Sequence, residues 1–236
     1  MRKTTIAILM LAGLLLSCSK EAPKASEADF SLRASMPCAD TKTSLGAKSE
    51  GVYPVLWSQG DVIMVNGVQS KPLTAQEAGS SNAVFHFASA VSAPYQVFYG
   101  TTVPSVQEFL DGNIRSGYIP MRAQSTSVSF TLEHSSCVLI IPITGGVSVT
   151  GLKLTSLDGT PLSESQTIQV TTPSGGVANK VFRVSVMPGA AKGLALDIFT
   201  SSGRMNMAIL TDKTLQAGKV YEIPTITFTA NAELEN

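Results

Sequence analysis

Short runs in which apolar and polar residues alternate recur along most of the chain, and turn-forming residues separate them. In the run 29–36, Phe30, Leu32, Ala34 and Met36 fall on one face and polar residues fall on the other. A period of two is typical of a half-buried β-strand. The runs are not separated by the helical segments that a parallel sheet would need. The sequence therefore predicts an all-β fold built of β-sandwiches.

One pair of residues predicts a tight hairpin. Asn66-Gly67 lies between β-branched residues, and both turn residues accept a positive φ. A single stretch, 106–110, is expected to form one or two helical turns. Further strands are predicted at 61–65, 83–88, 95–99, 127–132, 137–144, 147–157, 167–172, 180–186, 194–200, 205–210 and 219–228.

The N-terminus has the features of an export signal. Arg2 and Lys3 precede an apolar run, 6–16, which is shorter than the roughly 20 residues of a membrane-spanning helix. The run ends at Leu-Leu-Ser-Cys, which resembles the bacterial lipobox. That resemblance implies cleavage before Cys18 and attachment of a lipid to its thiol. An ordinary signal peptide followed by a chance cysteine is the alternative.

The predicted organisation follows from these features. Residues 1–17 form the signal peptide and residues 18–28 form a lipidated tether. Two tandem β-sandwich domains are expected at 29–125 and at 126–236, and the latter includes a terminal strand and tail.

The chain contains three cysteines. If Cys18 carries a lipid, Cys38 and Cys137 remain as an even pair in an oxidising compartment. They form either a disulfide or two buried free thiols. The sequence leaves both alternatives open, because a disulfide requires closely spaced Cα atoms.

The residues that catalysis or nucleic-acid binding would need are scarce. The formal net charge is zero, and no basic patch suggests a nucleic-acid partner. His86 and His134 are the only histidines, and neither stands at metal-ligand spacing from a cysteine or carboxylate. The chain has no Gly-x-Ser-x-Gly turn and no phosphate-binding glycine loop. We therefore expect a protein that is not an enzyme and that uses no cofactor or metal.

Trp57 is the only tryptophan. It is expected to pack in the core, with a sugar-stacking role as the alternative. In a glycan-binding protein, Tyr95, Tyr99 and Tyr118 would be further stacking platforms. Aromatic residues make up only 6% of the chain, which argues against an extended platform.

Several segments in order resemble the fimbrillin family, the subunits of type V pili in anaerobic Gram-negative bacteria. The segments are 41–45 (TKTSL), 57–63 (WSQGDVI), Pro120 with Gln124, Phe130 with His134 before the apolar run 137–144, and 215–221 (LQAGKVY). The resemblance spans about residues 30–228. It implies two transthyretin-like β-sandwich domains, lipoprotein export, display at the outer membrane, and polymerisation by β-strand donation. The chain departs from the family in being short for a shaft subunit and in having Lys42 where many relatives have arginine.

The resemblance also implies sites for assembly. Fimbrillins that polymerise are clipped after a basic residue near the first strand, and Arg33 is the candidate here. The alternative is that Arg33 is only a solvent-facing strand residue. The donated strand would come from the final stretch, where Ile223 and Thr225 are expected on one face with Thr227, and Ile226 and Phe228 lie close by.

These features predict a structural or adhesive subunit of a surface fimbria, acting as shaft, anchor or accessory component. The expected partners are other fimbrial subunits, the outer membrane through the lipid, and a receptor on a host or bacterial surface. A surface glycan-binding lipoprotein is the alternative.

Overall fold

The computed structural model describes residues 30–37, 56–100, 102–115 and 117–228. Within these ranges the chain forms strands and no helix, and so it has no helix there that could cross a membrane. The all-β prediction is confirmed. The strands are β1 (Phe30–Ser35), β2 (Met64–Val65), β3 (Val68–Gln69), β4 (Asn82–Phe87), β5 (Tyr95–Tyr99), β6 (Val106–Glu108), β7 (Met121–Ser125), β8 (Ser129–Thr131), β9 (Glu133–His134), β10 (Cys137–Thr144), β11 (Val149–Ser156), β12 (Thr167–Thr171), β13 (Lys180–Val186), β14 (Leu194–Thr200), β15 (Gly203–Ile209), β16 (Val220–Glu222) and β17 (Ile226–Thr227).

Two sheets share the first apolar core. One has the order β4-β1-β8 and the other has the order β3-β2-β5-β7-β9. Alternate side chains of each sheet point between them, and Leu32, Phe85 and Val97 are completely or almost completely buried. Trp57 packs edge-on against the rings of Phe85 and Tyr99 at the centre of this core. We call these two sheets the first sheet pair.

Two further sheets share a second core. One has the order β13-β10-β16, with β17 also pairing with β10, and the other has the order β15-β14-β11-β12-β6. Their buried residues include Leu139, Phe182 and Leu196. We call these sheets the second sheet pair. A small third cluster, which includes Ile119 and Val138, lies apart from both cores.

The strands are not divided between the two sheet pairs at the predicted boundary of 125/126. β8 and β9 follow that boundary but pair with β1 and β7 of the first sheet pair. β6 precedes the boundary but pairs with β12 of the second sheet pair. The division of the chain into two domains at this position stays a prediction.

Local sequence patterns predict the turn at Asn66-Gly67 correctly and the segment 106–110 incorrectly. The hairpin at Asn66-Gly67 is confirmed, with φ values of 51° and 82° between β2 and β3. The helical turns predicted at 106–110 are wrong, since residues 106–108 form β6. The parallel pairing with β12 fixes this segment, and the side chain of Gln107 is buried at the main chain of Ser185.

Candidate functional site

The first strand has neighbours on both of its edges. β1 pairs antiparallel with β4, where Arg33 lies opposite Val84. On its other edge β1 pairs parallel with β8, and the Arg33 amide donates a hydrogen bond to the Val128 carbonyl at 2.8 Å. The backbone on both sides of the Arg33–Ala34 bond is therefore held in a sheet. A protease could take this bond into an extended binding site only after β1 leaves the sheet.

The side chains of β1 divide into two faces, as the sequence predicts. Leu32, Ala34 and Met36 are at most 3% exposed, whereas Arg33 is exposed. Loss of β1 would uncover the apolar positions that these side chains cover. It would also leave β4 and β8 with unpaired backbone groups, which are the features of a strand-accepting groove.

The proposed donor residues lie in the sheet of the second pair. The amide of Ile223 donates to the Ile140 carbonyl, and the amide of Phe228 donates to the Thr144 carbonyl, each at 2.9 Å. Ile223, Ile226 and Phe228 are at most 5% exposed, while Thr225 and Thr227 are exposed. The predicted face of Ile223 with the two threonines is therefore wrong.

A break in the strand explains this difference. Pro224 lies between β16 and β17, so the alternation does not run unbroken from Ile223 to Phe228. In this structure the final stretch pairs with β10 of its own chain. It would have to leave β10 before it could serve another subunit.

Cys137 is buried at the start of β10 and forms no disulfide with another of the described residues. Burial raises its pKa to about 12, and its Sγ donates a hydrogen bond to the Val186 carbonyl at 3.5 Å. Cys18 and Cys38 lie outside the described residues. Lipidation at Cys18 and pairing of Cys38 with Cys137 both stay predictions.

The aromatic residues singled out in the sequence are mostly structural. Trp57, Tyr95 and Tyr99 are 1%, 6% and 2% exposed, so none of them can serve as a sugar platform. The hydroxyl of Tyr99 donates to the buried carboxylate of Asp61 at 3.0 Å and accepts from the Gly117 amide at 2.9 Å. Tyr118 is half-buried and lines a surface cleft.

The two histidines lie on different sheets, His86 on β4 and His134 on β9. His86 Nε2 lies 3.6 Å from Glu77 Oε1. The pKa of Glu77 is below its usual value, chiefly because Thr74 hydrogen-bonds to the carboxylate. Burial lowers the pKa of His134 to about 4, so this imidazole is neutral at physiological pH. Among the described residues, no group of three or more His, Cys, Asp or Glu side chains could hold a metal ion.

Phe98 is a surface aromatic that the sequence reasoning missed. It is 45% exposed on β5, where Tyr95, Val97 and Tyr99 point inward and Gln96 points outward with Phe98. The available signal was the alternation of this strand, which places one phenylalanine on the polar face.

Comparison with known proteins gives a mixed result. No protein-family model matches the sequence, and no curated protein matches it. Solved structures do match over most of the chain. The neighbours are described as adhesion or fimbrial proteins.

Three of these structures illustrate the likeness. A candidate cell adhesion protein from Bacteroides uniformis is 15% identical, with a TM-score of 0.45, and the match covers 86% of this chain and 94% of that chain. One from Bacteroides ovatus is 12% identical, with a TM-score of 0.48, and the match covers 87% and 94%. The C-terminally truncated tip fimbrial protein of Porphyromonas gingivalis is 10% identical, with a TM-score of 0.36, and the match covers 81% and 92%.

Proposed function

We propose that this protein is a non-enzymatic structural or adhesive subunit of a cell-surface fimbria. It is exported as a lipoprotein with the lipid on Cys18, and that lipid holds it at the outer membrane until cleavage after Arg33 releases it for assembly. Its assembly partners are other fimbrial subunits. The observation that carries the proposal is the position of β1, a six-residue strand between β4 and β8. In the sequence it follows the predicted tether, 18–28.

The position of β1 suits strand exchange for a physical reason. An alternating strand contributes buried side chains to the core and hydrogen bonds to two neighbours, so its removal leaves a template of matching shape. A donated strand with apolar residues at every second position would restore both contributions. Cleavage after Arg33 would divide β1 and remove Phe30 and Leu32 from the groove.

The donor is the final stretch of another subunit. Ile226 and Phe228 supply its alternating apolar residues, with Ile223 on the far side of Pro224. Because these residues pair with β10 of their own chain in the unassembled state, assembly exchanges one set of pairings for another. Because the two sets of pairings are similar, the exchange changes the free energy of each subunit only a little. The donated strand comes from another subunit, so assembly depends on subunit concentration.

Cell-surface labelling tests the proposal. Cells that produce the protein should carry surface fibres that bind gold-labelled antibody, and a strain that lacks the gene should not. The variant Cys18→Ala should lose incorporation of a palmitate analogue and should leave the membrane fraction. A protein that stays in the periplasm or the cytoplasm, with no surface label, would contradict the proposal.

A further inference from the structure

The outer face of the five-stranded sheet in the first pair has an ordered arrangement of side chains. One lateral row runs across all five strands, because the register places each of its members directly opposite the next. Neighbouring strands lie about 4.8 Å apart, so the row is roughly 19 Å long. In order, the row contains Gln69, Met64, Phe98, Arg122 and Glu133.

The centre of this row is apolar and open to solvent. Phe98 and its neighbour Met64 are 45% and 38% exposed. Val106, which lines a cleft together with these two residues, is 50% exposed. Large apolar side chains grouped on a surface are a mark of a binding site, whereas single scattered ones are not. No strand or loop of the described chain covers them.

Two clefts lie on either side of Phe98, and its ring lines both of them. The larger has a volume of about 660 Å³ and adds Tyr118 as a second aromatic wall. Its rim carries Gln69 and Glu164, whose carboxylate accepts a hydrogen bond from Thr102 at 2.6 Å.

The smaller cleft has a volume of about 410 Å³ and is polar. Its walls carry the side-chain amides of Gln96 and Gln124, which lie opposite each other on β5 and β7. Arg122 and Glu133 complete it. We call the row and the two clefts together the Phe98 face.

The chemistry of this face matches one class of ligand. A sugar ring offers a flat patch of C–H groups, which packs on an aromatic ring, and a rim of hydroxyls that need both donors and acceptors. The Phe98 face provides the ring, three amides and two carboxylates. Its single arginine lies directly opposite Glu133, and Glu164 adds one further negative charge, so the face has no excess of positive charge that would select an anionic ligand.

We propose that the Phe98 face binds a neutral oligosaccharide, with the Phe98 ring as the stacking platform and the flanking amides as the hydroxyl-binding groups. This deepens the adhesive part of the proposed function and rests on it. It does not depend on polymerisation, since the row lies outside β1 and outside the final stretch.

A glycan array tests this inference on the purified full-length mature protein in detergent. The printed probes are neutral mucin-type oligosaccharides, neutral plant-type glucan oligosaccharides, sialylated mucin-type oligosaccharides, and an unrelated protein as a blank. The first two arms distinguish a host source of the ligand from a dietary one. We expect binding in at least one neutral arm, followed by a dissociation constant from calorimetry with the best oligosaccharide.

Variants assign the binding to this face. Phe98→Ala should raise the dissociation constant of the neutral oligosaccharide about tenfold or more, because an aromatic contact and its buried area are lost. Gln124→Ala should raise it by a smaller factor. The matched control is Phe199→Ala, which removes an exposed phenylalanine from the second sheet pair. It should leave affinity unchanged.

Several results would overturn the inference. They are the absence of binding to every neutral probe, binding that is confined to the sialylated arm or the protein blank, and affinity that is equal in the wild type and Phe98→Ala. Because Phe98 is exposed, Phe98→Ala should leave the melting temperature unchanged. If it lowers the melting temperature, the affinity of Gln124→Ala tests the site instead. Fibre incorporation of Phe98→Ala should be normal, and a defect would show that this face packs against another subunit, which would overturn the inference. Absence of fibres from cells that produce the wild type would count against the fimbrial proposal alone.

Discussion

The side chain of Gln107 forms both hydrogen bonds that a neighbouring strand would form with Ser185. Its Nε2 donates to the Ser185 carbonyl at 2.7 Å, and its Oε1 accepts from the Ser185 amide at 3.0 Å. Gln107 is 1% exposed, and it lies on β6 at the edge of one sheet of the second pair while Ser185 lies on β13 of the other. The amide therefore joins two sheets and satisfies an edge that would otherwise be unpaired.

Gln107→Ala should destabilise the protein. The substitution leaves a buried N–H and a buried C=O of Ser185 without partners, which costs about 2–4 kcal/mol in total. The midpoint of urea unfolding followed by circular dichroism measures the loss. Gln169→Ala is the matched control, because Gln169 is exposed on β12 and should change stability by less than about 0.5 kcal/mol. Equal midpoints for the two variants would show that the Gln107 amide does not stabilise the fold.

His134 should make the protein less stable in weak acid. Its pKa is lowered from 6.5 to about 4 by burial, so the unfolded chain takes up a proton more readily than the folded chain. The stabilisation is fully present above the unfolded value and is lost as the pH falls from about 6.5 towards 4, by roughly 3 kcal/mol. Urea unfolding of the wild type and of His134→Gln at pH 7.5 and at pH 4.5 measures this difference.

The second histidine supplies the control for the pH experiment. His86 is partly exposed beside Glu77. The variant His86→Gln should therefore lose as much stability between the two pH values as the wild type does. The variant His134→Gln should show a smaller loss than either protein. If its loss equals that of the wild type, burial of His134 is not the source of the acid sensitivity.

Cleavage at Arg33 should be limited by release of β1. Leu32→Ala removes a completely buried side chain, which costs about 2–4 kcal/mol, and part of that cost falls on the attachment of β1. We expect an arginine-specific protease to cut after Arg33 about tenfold faster in this variant, because the open state is more populated. Mass spectrometry of a digestion time course follows the bond.

Two comparisons make the proteolysis experiment specific. Ser31→Ala changes an exposed β1 position and should leave the rate unchanged. Cleavage after Arg122 reports unfolding of the remainder of the first sheet pair, and it should accelerate less than cleavage after Arg33. Identical rates at Arg33 in the wild type and Leu32→Ala would mean that β1 does not have to leave the sheet.

Cys137 should be unreactive until the protein unfolds. Burial and a raised pKa of about 12 keep its thiol protonated and shielded at pH 8. Counting thiols with a chromogenic reagent, before and after denaturation without reductant, measures its reactivity. Reaction of Cys137 in the native protein would contradict the structure. If denaturation releases no thiol until a reductant is added, Cys38 and Cys137 are paired.

The fold class was readable from the sequence because some strands alternate, as β5 does, and others are short apolar runs between turns, as β10 is. The runs at β5, β10, β13 and β14 match their predicted ranges. β7 was missed although Met121 and Ala123 alternate with polar residues, because two apolar positions in five residues form too short a pattern to identify a strand. Its neighbours β5 and β9 hold it in place, and those contacts lie outside its own sequence.

The sites were less readable, because they depend on register between distant segments. The sequence places Phe98 on a polar face but cannot say that Met64 and Arg122 lie on either side of it. In the same way, Gln107 became a structural residue only through its approach to Ser185, which lies in a distant strand. The alternation expected for the final stretch also fails at Pro224. This proline interrupts the strand, and the buried side chains after it are Ile226 and Phe228.

The N-terminus of the subunits in assembled fibres shows whether β1 is exchanged. Fibres sheared from cells would be purified, and the terminal peptide of the incorporated subunits would be identified by mass spectrometry. Strand exchange at β1 predicts a chain that begins at Ala34, since β1 must be divided before a donated strand can replace it. Fibre subunits that retain a lipidated Cys18 and an intact β1 would contradict strand exchange at this site.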